Sequence, residues 1–230
     1  MRHFWVVGIA WIVAACVGSA ANSRQKLSLT YAEKGAAYLA EGNLEVAAQD
    51  LNKSLELDPN NAAAHSTLAL LYERLGDQEK ALAHHQAAVK LLPSDPGIVG
   101  NFGRFLCHQG RFQEGLEFLK RALRDRLYVK RWIPLTNAGE CALKAGKLEE
   151  AEEYLREALS SSENPLALSG LVKLYFLKQD YLKARAFLQR YEALGAPERE
   201  MLELGEKIES ALGDRQAADS YRRRLAELGN

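Results

Sequence analysis

The sequence predicts an all-α fold, an α-solenoid of stacked helical hairpins, and two observations support this prediction. First, YAEKGAAYLAEGNLEVAAQDLNKSLELDP (31–59) aligns with HSTLALLYERLGDQEKALAHHQAAVKLLP (65–93) at an offset of 34 residues, so that Tyr38 falls on Tyr72 and Pro59 on Pro93. Second, turn glycines and small helix residues recur at fixed places through to the C-terminus. A period of 34 residues is typical of the tetratricopeptide repeat (TPR), a helix–turn–helix unit that buries its apolar face only against neighbouring units.

About six such units are predicted, each with two helices. They span residues 28–61, 62–95, 96–131, 132–164, 165–198 and 199–230. A small residue stands in each of the first four units where its first helix crosses its second, because only a small side chain lets the two backbones approach. These residues are Gly35, Ala69, Gly103 and Gly139.

A turn residue ends the first helix of each unit after the crossing. Five units have glycine there, which adopts the left-handed conformation at little cost, and the fifth unit has Gln179. The five glycines are Gly42, Gly76, Gly110, Gly146 and Gly213. The last unit is polar where a seventh would dock, with Arg222, Arg223 and Arg224, as expected of a terminal cap.

Some positions depart from the repeat. Units three and four are separated by 36 residues, because RDRLYVKRWIP (124–134) replaces the usual short turn. Gly115 and His85 occupy places that normally hold an alanine and an aromatic residue.

The residues before the repeats predict export. A basic head, Arg2 and His3, precedes an apolar stretch at 4–15 that is shorter than the roughly 20 residues a membrane-spanning helix needs. The run Val13-Ala14-Ala15-Cys16 resembles the bacterial lipobox, in which the cysteine is lipidated and the signal is cut just before it. We therefore expect a signal peptide at 1–15, a lipidated Cys16 with a linker at 16–27, and a six-TPR domain at 28–230.

The lipobox resemblance also implies a location. Val17 follows Cys16, without the aspartate that retains lipoproteins at the inner membrane, so the expected location is the outer membrane with the TPR domain facing the periplasm. Two alternatives stay open. Cleavage after Ala20 or Ala21 would give a soluble periplasmic protein, and the mostly apolar run up to Ala21 would serve as an uncleaved anchor.

Composition and motifs argue against several function classes. Lysine plus arginine and aspartate plus glutamate each count 30, so the chain lacks the basic excess of a protein that binds a phosphate backbone, and we expect no nucleic-acid partner. The basic runs at 120–131 and 222–224 are interpreted as solvated helix faces. Neighbouring helix residues point about 100° apart, which argues against a catalytic Cys107–His108 pair and a His84–His85 metal site. We expect no catalytic activity, cofactor or metal.

Cys107 and Cys141 lie on the predicted first helices of units three and four. First helices of adjacent units stack side by side, and export would place both thiols in an oxidising compartment where such a pair tends to close. A disulfide is therefore open to them. The alternative is two small core cysteines that never meet.

Beyond the repeat, particular strings resemble one family. The lipobox, NFGRFLCHQGRFQEGL (101–116), NAGECALKAGKLEEAEEYLREAL (137–159) and RYEALGAPEREMLELGEKIESALGDRQAADSYRRRL (190–225) are similar to the PilW/PilF type IV pilus biogenesis and stability proteins. The resemblance covers nearly the whole chain and implies a pilotin, an outer-membrane lipoprotein that helps the pilus secretin to insert and form its multimeric ring. The family's cysteines map onto Cys107 and Cys141, which implies the bridge.

A partner is expected on the first helices, which line the concave face of TPR domains. Positions two, five, nine, twelve and thirteen of each unit are predicted to share a stripe opposite the core. This stripe is apolar in the first two units and charged in the later ones, which suggests a groove for a peptide or helix. Its residues are Leu29, Ala32, Ala36, Leu39, Ser66 and Leu70, then Arg104, His108, Glu140, Lys144 and Lys173. The alternative is that Leu29 and Leu39 pack against the N-terminal linker.

The leading functional hypothesis is a non-enzymatic, lipid-anchored scaffold required for type IV pilus biogenesis, with the pilus secretin subunit and other pilus assembly proteins as partners. The alternative is a periplasmic TPR lipoprotein that docks cell-wall enzymes or other outer-membrane assembly factors. Loss of secretin multimers in a deletion strain would favour the first, and altered envelope growth with intact multimers would favour the second.

Overall fold

The structure, a computed structural model, describes the backbone of residues 4–228 and the side chains of residues 22–160 and 162–228. Over these residues it contains twelve helices and no strand. The helices are α1 (Phe4–Ala40), α2 (Leu44–Leu57), α3 (Ala62–Leu75), α4 (Gln78–Leu91), α5 (Pro96–His108), α6 (Phe112–Ala122), α7 (Trp132–Lys144), α8 (Leu148–Ser161), α9 (Pro165–Leu177), α10 (Tyr181–Glu192), α11 (Arg199–Leu212) and α12 (Arg215–Glu227).

Successive helices pair into six antiparallel hairpins, and each pair lies within one predicted repeat except that α1 begins at Phe4, before the first repeat. The all-α TPR fold predicted from the 34-residue period is therefore confirmed. The chain divides into two compact units, Met1–Ile98 and Val99–Asn230, which are described separately below.

In the first unit, α1 and α2 approach closely because Gly35 has no side chain. A Cβ added there would lie 2.6 Å from the Cγ of Leu51, which is itself fully buried. The core of this unit joins Leu51 to Leu68 and Leu71 of α3. Ser28, Ser54 and Asn61 form a buried hydrogen-bonded group beside it, in which Asn61 Nδ2 donates to Ser28 Oγ at 2.8 Å.

In the second unit, the same device recurs in the fourth hairpin. A Cβ on Gly139 would lie 2.5 Å from the Cγ of Leu155, so glycine is what lets α7 rest on α8. Leu155 is fully buried in a continuous core with Leu135, Leu171 and Tyr175. This core extends through the last two hairpins to Ile208 and Tyr221.

The turns also match the prediction. All five predicted turn glycines have positive φ, with Gly42 at 83° and Gly146 at 74°. Gln179 has φ 58° and is the only non-glycine residue with positive φ among the described residues. The second helices of these hairpins often begin with an aspartate cap; the side chains of Asp77 and Asp180 accept hydrogen bonds from the backbone N–H groups of Lys80 and Lys183.

The N-terminal part differs from the sequence expectation in one respect. Residues 22–27, assigned above to a linker, are helical and continue into the first repeat helix within α1. Among the residues that the structure describes, no helix combines the length and the apolar character needed to cross a membrane.

Candidate functional site

The second unit joins the two cysteines of the repeat domain. Cys107 on α5 and Cys141 on α7 form a disulfide with an S–S distance of 1.97 Å and a Cα–Cα distance of 5.5 Å, and both are buried. The bridge connects the first helices of repeats three and four at a sequence separation of 34 residues, one repeat period. The alternative prediction, two core cysteines that do not contact each other, is therefore wrong.

Beside the bridge, the charged residues predicted for the later repeats come together. Arg104, His108, Glu140 and Lys144 line one small cavity with Asn137 and the two cysteines. The Arg104 guanidinium lies 3.4 Å from His108 Nδ1, one helical turn away on α5. The disulfide therefore fixes the two helices that present these four side chains.

Glu140 is the central group of this surface, because it also lines a second, larger cleft. Burial raises the pKa of the Glu140 carboxyl above its ordinary value. Three nearby cations, Lys144, Lys173 and Arg104, oppose this rise, and Glu200 adds to it. A half-buried carboxylate among cations is suited to accept a hydrogen bond from a docking partner.

The larger cleft has a volume of about 370 Å³ and is formed by repeats four to six. Its rim is apolar in two places, where Leu166 is 54% and Leu194 is 48% exposed. Across the cleft, Lys173 Nζ on α9 pairs with Glu200 on α11 at 2.7 Å. The lining residues are Glu140, Pro165, Leu166, Ser169, Lys173, Tyr191, Leu194, Gly195, Ala196, Glu198, Glu200 and Met201.

Chemically, this combination fits the binding of a polypeptide segment. Exposed leucines beside Tyr191 offer apolar contact, and the surrounding charges fix the direction of a bound chain. In the described residues no group of three or more His, Cys, Asp or Glu side chains is arranged to hold a metal ion.

Part of this cleft escaped the sequence analysis. Leu166 and Ser169 occupy positions two and five of repeat five, the same stripe that predicts Lys173 at position nine, but only Lys173 was named from this repeat. Tyr191, Leu194 and Gly195 belong to the end of α10 and the turn before α11. No repeat position predicts a binding role for these turn residues.

The apolar stripe predicted for the first two repeats is wrong at three positions. Ala32 and Leu39 are 3% and 4% exposed and belong to the core of the first unit, and Ser66 is 8% exposed. Leu29 is 48% exposed, Ala36 is exposed and Leu70 is half-buried, as a surface lining requires. The predicted continuous groove is therefore reduced to isolated residues in the first unit.

Helical geometry explains the error. Positions two, nine and thirteen of a repeat lie within about 20° of one direction on the helix, whereas positions five and twelve are rotated from it by about 60–80°. Ala32 and Ser66 stand at position five, and Leu39 at position twelve. These side chains point toward packed helices rather than into the open face.

The predicted lipidation site, Cys16, lies outside the residues whose side chains the structure describes. The signal peptide predicted at 1–15 lies there too. Both remain predictions from the sequence.

Comparison with known proteins places the repeats within described families. Models of the tetratricopeptide repeat match residues 98–164 and 142–208, and a TPR repeat model matches residues 35–76. Together they cover parts of both compact units.

Two named relatives are similar over most of their length. The type IV pilus assembly protein PilF of Pseudomonas aeruginosa is 30% identical over 208 residues, covering 90% of this chain and 82% of PilF. A solved structure of P. aeruginosa PilF superposes with a TM-score of 0.81 at 28% identity, covering 90% of this chain and 93% of that one. The crystal structure of PilW, a widely conserved type IV pilus biogenesis factor, gives a TM-score of 0.82 at 28% identity, covering 86% and 92%.

Proposed function

Since the chain belongs to the PilF/PilW family of type IV pilus TPR proteins, we propose that it acts as a pilotin, a lipid-anchored scaffold that helps the pilus secretin to insert into the outer membrane and form its multimer. A TPR scaffold of type IV pilus biogenesis is what the relatives support directly. The secretin partner, the lipid anchor and the outer-membrane location are the parts that the proposal adds.

The observation that carries the proposal is the extent of the similarity. It spans 82% of P. aeruginosa PilF by sequence and more than nine-tenths of the solved PilF and PilW chains by structure. Another solved TPR protein covers 88% of this chain at only 17% identity, whereas PilF and PilW combine similar coverage with 28% identity, so coverage and identity together support the proposal.

The anchor is supported by the sequence Val13-Ala14-Ala15-Cys16. Acyl chains contribute about 0.8 kcal/mol per buried methylene, so two or three chains hold a protein stably on a bilayer where a single chain does not. The proposed location of the repeats is the periplasm. That compartment is oxidising, which agrees with the disulfide between Cys107 and Cys141.

The proposed contact for the partner is the surface around Glu140 and the adjoining cleft of repeats four to six. Its exposed leucines and its fixed charges are the features that a peptide segment from the secretin or from another pilus assembly protein would use. We propose binding only; the role requires no catalysis.

The test separates the anchor from the scaffold. Cys16→Ser is expected to move the protein from the outer-membrane fraction to the soluble periplasm and to reduce secretin multimers in the same cells. Ser19→Ala, three residues further along, is the matched control and is expected to change neither. Membrane fractionation and multimer gels on both strains are the measurements.

Each failure has a distinct meaning. Loss of anchoring with unchanged secretin multimers would remove the pilotin mechanism while leaving the TPR scaffold intact. In a deletion strain, altered envelope growth with intact multimers would favour the alternative scaffold for cell-wall enzymes. If Cys16→Ser fractionates with the outer membrane as the wild type does, the hypothesis of a lipid anchor at Cys16 is wrong.

A further inference from the structure

The loop between α6 and α7, residues 123–131, exposes aliphatic side chains to an unusual degree. Leu127 is 90% exposed and Val129 is 93% exposed, the highest values among the large apolar residues that the structure describes. The basic run at 120–131 was interpreted from sequence as a solvated helix face, but α6 ends at Ala122. Most of the run therefore lies on a loop.

The loop is held in place at its base. The Arg131 guanidinium donates to the carbonyl oxygen of Leu123 and pairs with Glu157 at 3.2 Å. The Leu127 N–H donates to Asp125 Oδ1 at 2.9 Å, which fixes the turn that presents Leu127. The exposure of the two aliphatic side chains is thus part of an ordered turn.

Cations surround these apolar residues. Arg124, Arg126 and Lys130 are all exposed, and none of them forms an ion pair with a carboxylate of the described residues. Asp125 is the one acidic residue between positions 124 and 130, so this segment carries a net positive charge of two. The loop combines protruding aliphatic side chains with unpaired positive charge.

We infer that this loop docks on the surface of an anionic lipid bilayer. Leu127 and Val129 would enter the boundary between headgroups and acyl chains, and Arg124, Arg126 and Lys130 would bind lipid phosphates. An acidic protein surface would satisfy the cations, but it would cover both aliphatic side chains only if it carried a matching apolar pocket. A bilayer supplies both environments, which is why the observations favour it.

This inference goes beyond the proposed function and does not depend on lipidation of Cys16. If the loop docks, the bilayer is contacted by the repeat domain itself and not only by its N-terminus. The orientation of the second compact unit on the membrane is then set by a specific turn.

The experiment uses the full, uncleaved chain, whose apolar stretch at 4–15 is expected to hold every variant on the vesicle whether or not residue 16 is cysteine. A Leu127→Cys, Cys16→Ser chain is labelled with the polarity-sensitive fluorophore NBD; Cys107 and Cys141 are buried and bridged and do not react. The matched control carries the label through Leu182→Cys on α10, a leucine that is 68% exposed. Vesicles contain phosphatidylethanolamine with phosphatidylglycerol, or phosphatidylcholine alone.

The expected result is a shift of NBD emission to shorter wavelength for the label at position 127 on phosphatidylglycerol vesicles, with no shift at position 182. Each cation near an anionic leaflet contributes about five-fold in binding, so Arg126→Gln with Lys130→Gln is expected to lower the equilibrium constant for docking about 25-fold. Lys207→Gln with Arg223→Gln, two exposed cations elsewhere in the second unit, is the charge-matched control.

Three results would overturn the inference. One is unchanged emission at position 127 on phosphatidylglycerol vesicles. Another is an equal shift on phosphatidylcholine vesicles, which would remove the role of the cations. The third is a shift at position 127 produced by an added acidic protein without lipid, which would assign the loop to a protein partner. Circular dichroism of each labelled chain checks that the helices are intact.

Discussion

Gly115 on α6 lies directly against Cys107 on α5: a Cβ added to Gly115 would be 2.3 Å from the Sγ of Cys107 and 2.8 Å from the carbonyl oxygen of Gly103. Other repeats place an alanine at this position, such as Ala81 and Ala151, both fully buried. The third repeat instead has glycine on the helix that packs behind the disulfide. The departure from the repeat at Gly115 and the presence of the bridge are therefore one structural feature.

Gly115→Ala is expected to destabilise the second unit. Alanine favours a helix over glycine by about 1 kcal/mol, but here its methyl group would collide with a sulfur atom and with backbone, and overpacking of this kind costs about 1–3 kcal/mol. The net expectation is a lower free energy of unfolding. Urea denaturation followed by circular dichroism measures it.

Gly100→Ala on α5 is the matched control. A Cβ there would meet only Ala122 Cβ and Pro134 Cβ, each at the ordinary contact distance of 3.7 Å. This variant is expected to gain about 0.5–1 kcal/mol, because glycine within a helix carries an entropic cost. Equal effects of the two substitutions would contradict the account of Gly115.

The disulfide itself is expected to contribute about 3–4 kcal/mol to the stability of the second unit, from the chain entropy of a 34-residue loop. Reduction with dithiothreitol should lower the urea midpoint of the wild-type chain. Cys107→Ala with Cys141→Ala should show the lowered midpoint from the start and no response to dithiothreitol. A response of the double variant would mean that the reductant acts elsewhere.

A pH dependence is expected from Glu152 on α8. Its carboxylate accepts hydrogen bonds from the Tyr175 hydroxyl at 2.5 Å, Lys178 Nζ at 2.9 Å and Arg156 Nε at 3.1 Å. These bonds, that of Tyr175 first, lower the pKa of Glu152 from 4.5 to about 2. Because the folded pKa is depressed, the stabilisation is complete above about pH 4.5 and is lost as the pH falls through about 2.

Glu152→Gln should therefore destabilise the chain by roughly 1–3 kcal/mol at pH 7. The gap, which is the difference in stability between this variant and the wild type, should narrow as the pH falls below 4.5. Thermal unfolding at pH 7 and pH 3 measures the gap. Glu153→Gln, at the exposed neighbouring position, is the control. A gap that stays constant between the two pH values would exclude the ionic origin of the effect.

The fold was predictable from the sequence because the residues that determine each hairpin lie within a single repeat. Gly35 and Gly139 mark the helix crossings, and even Gln179 has the positive φ that its place in the repeat requires. The surface was harder to predict. Ala32 and Leu39 stand at positions five and twelve, which are rotated away from positions two, nine and thirteen, and the predicted stripe did not separate the two groups.

The residues that line the cleft were also only partly predictable from the repeat spacing. Glu140 was found from its position in the repeat, but Tyr191 and Leu194 enter through a turn whose course depends on how α10 meets α11. The exposure of Leu127 and Val129 likewise follows from the anchoring of their loop by Arg131. Repeat spacing predicts the helices and the points where they cross. It does not predict the irregular turns between helices, and those turns present the exposed apolar residues of the cleft and of the loop.

A charge reversal across the cleft distinguishes a binding role from a structural one. Lys173→Glu removes the 2.7 Å ion pair with Glu200 and adds a fourth carboxyl group to a cleft already lined by Glu140, Glu198 and Glu200. An exposed ion pair contributes at most about 1 kcal/mol, so the loss of stability should be small. If a partner uses the cleft, the loss of secretin multimers should be much larger than this change in stability explains.

The double variant Lys173→Glu, Glu200→Lys restores an ion pair with the opposite direction. Its thermal unfolding midpoint should return to that of the wild type, while secretin multimers should stay reduced, because the charges now face a bound segment in the wrong order. Lys207→Glu, on the exposed side of α11, controls for net charge. Full recovery of multimers in the double variant would mean that Lys173 and Glu200 only hold α9 to α11, and the contact with the partner would have to lie elsewhere on the repeats.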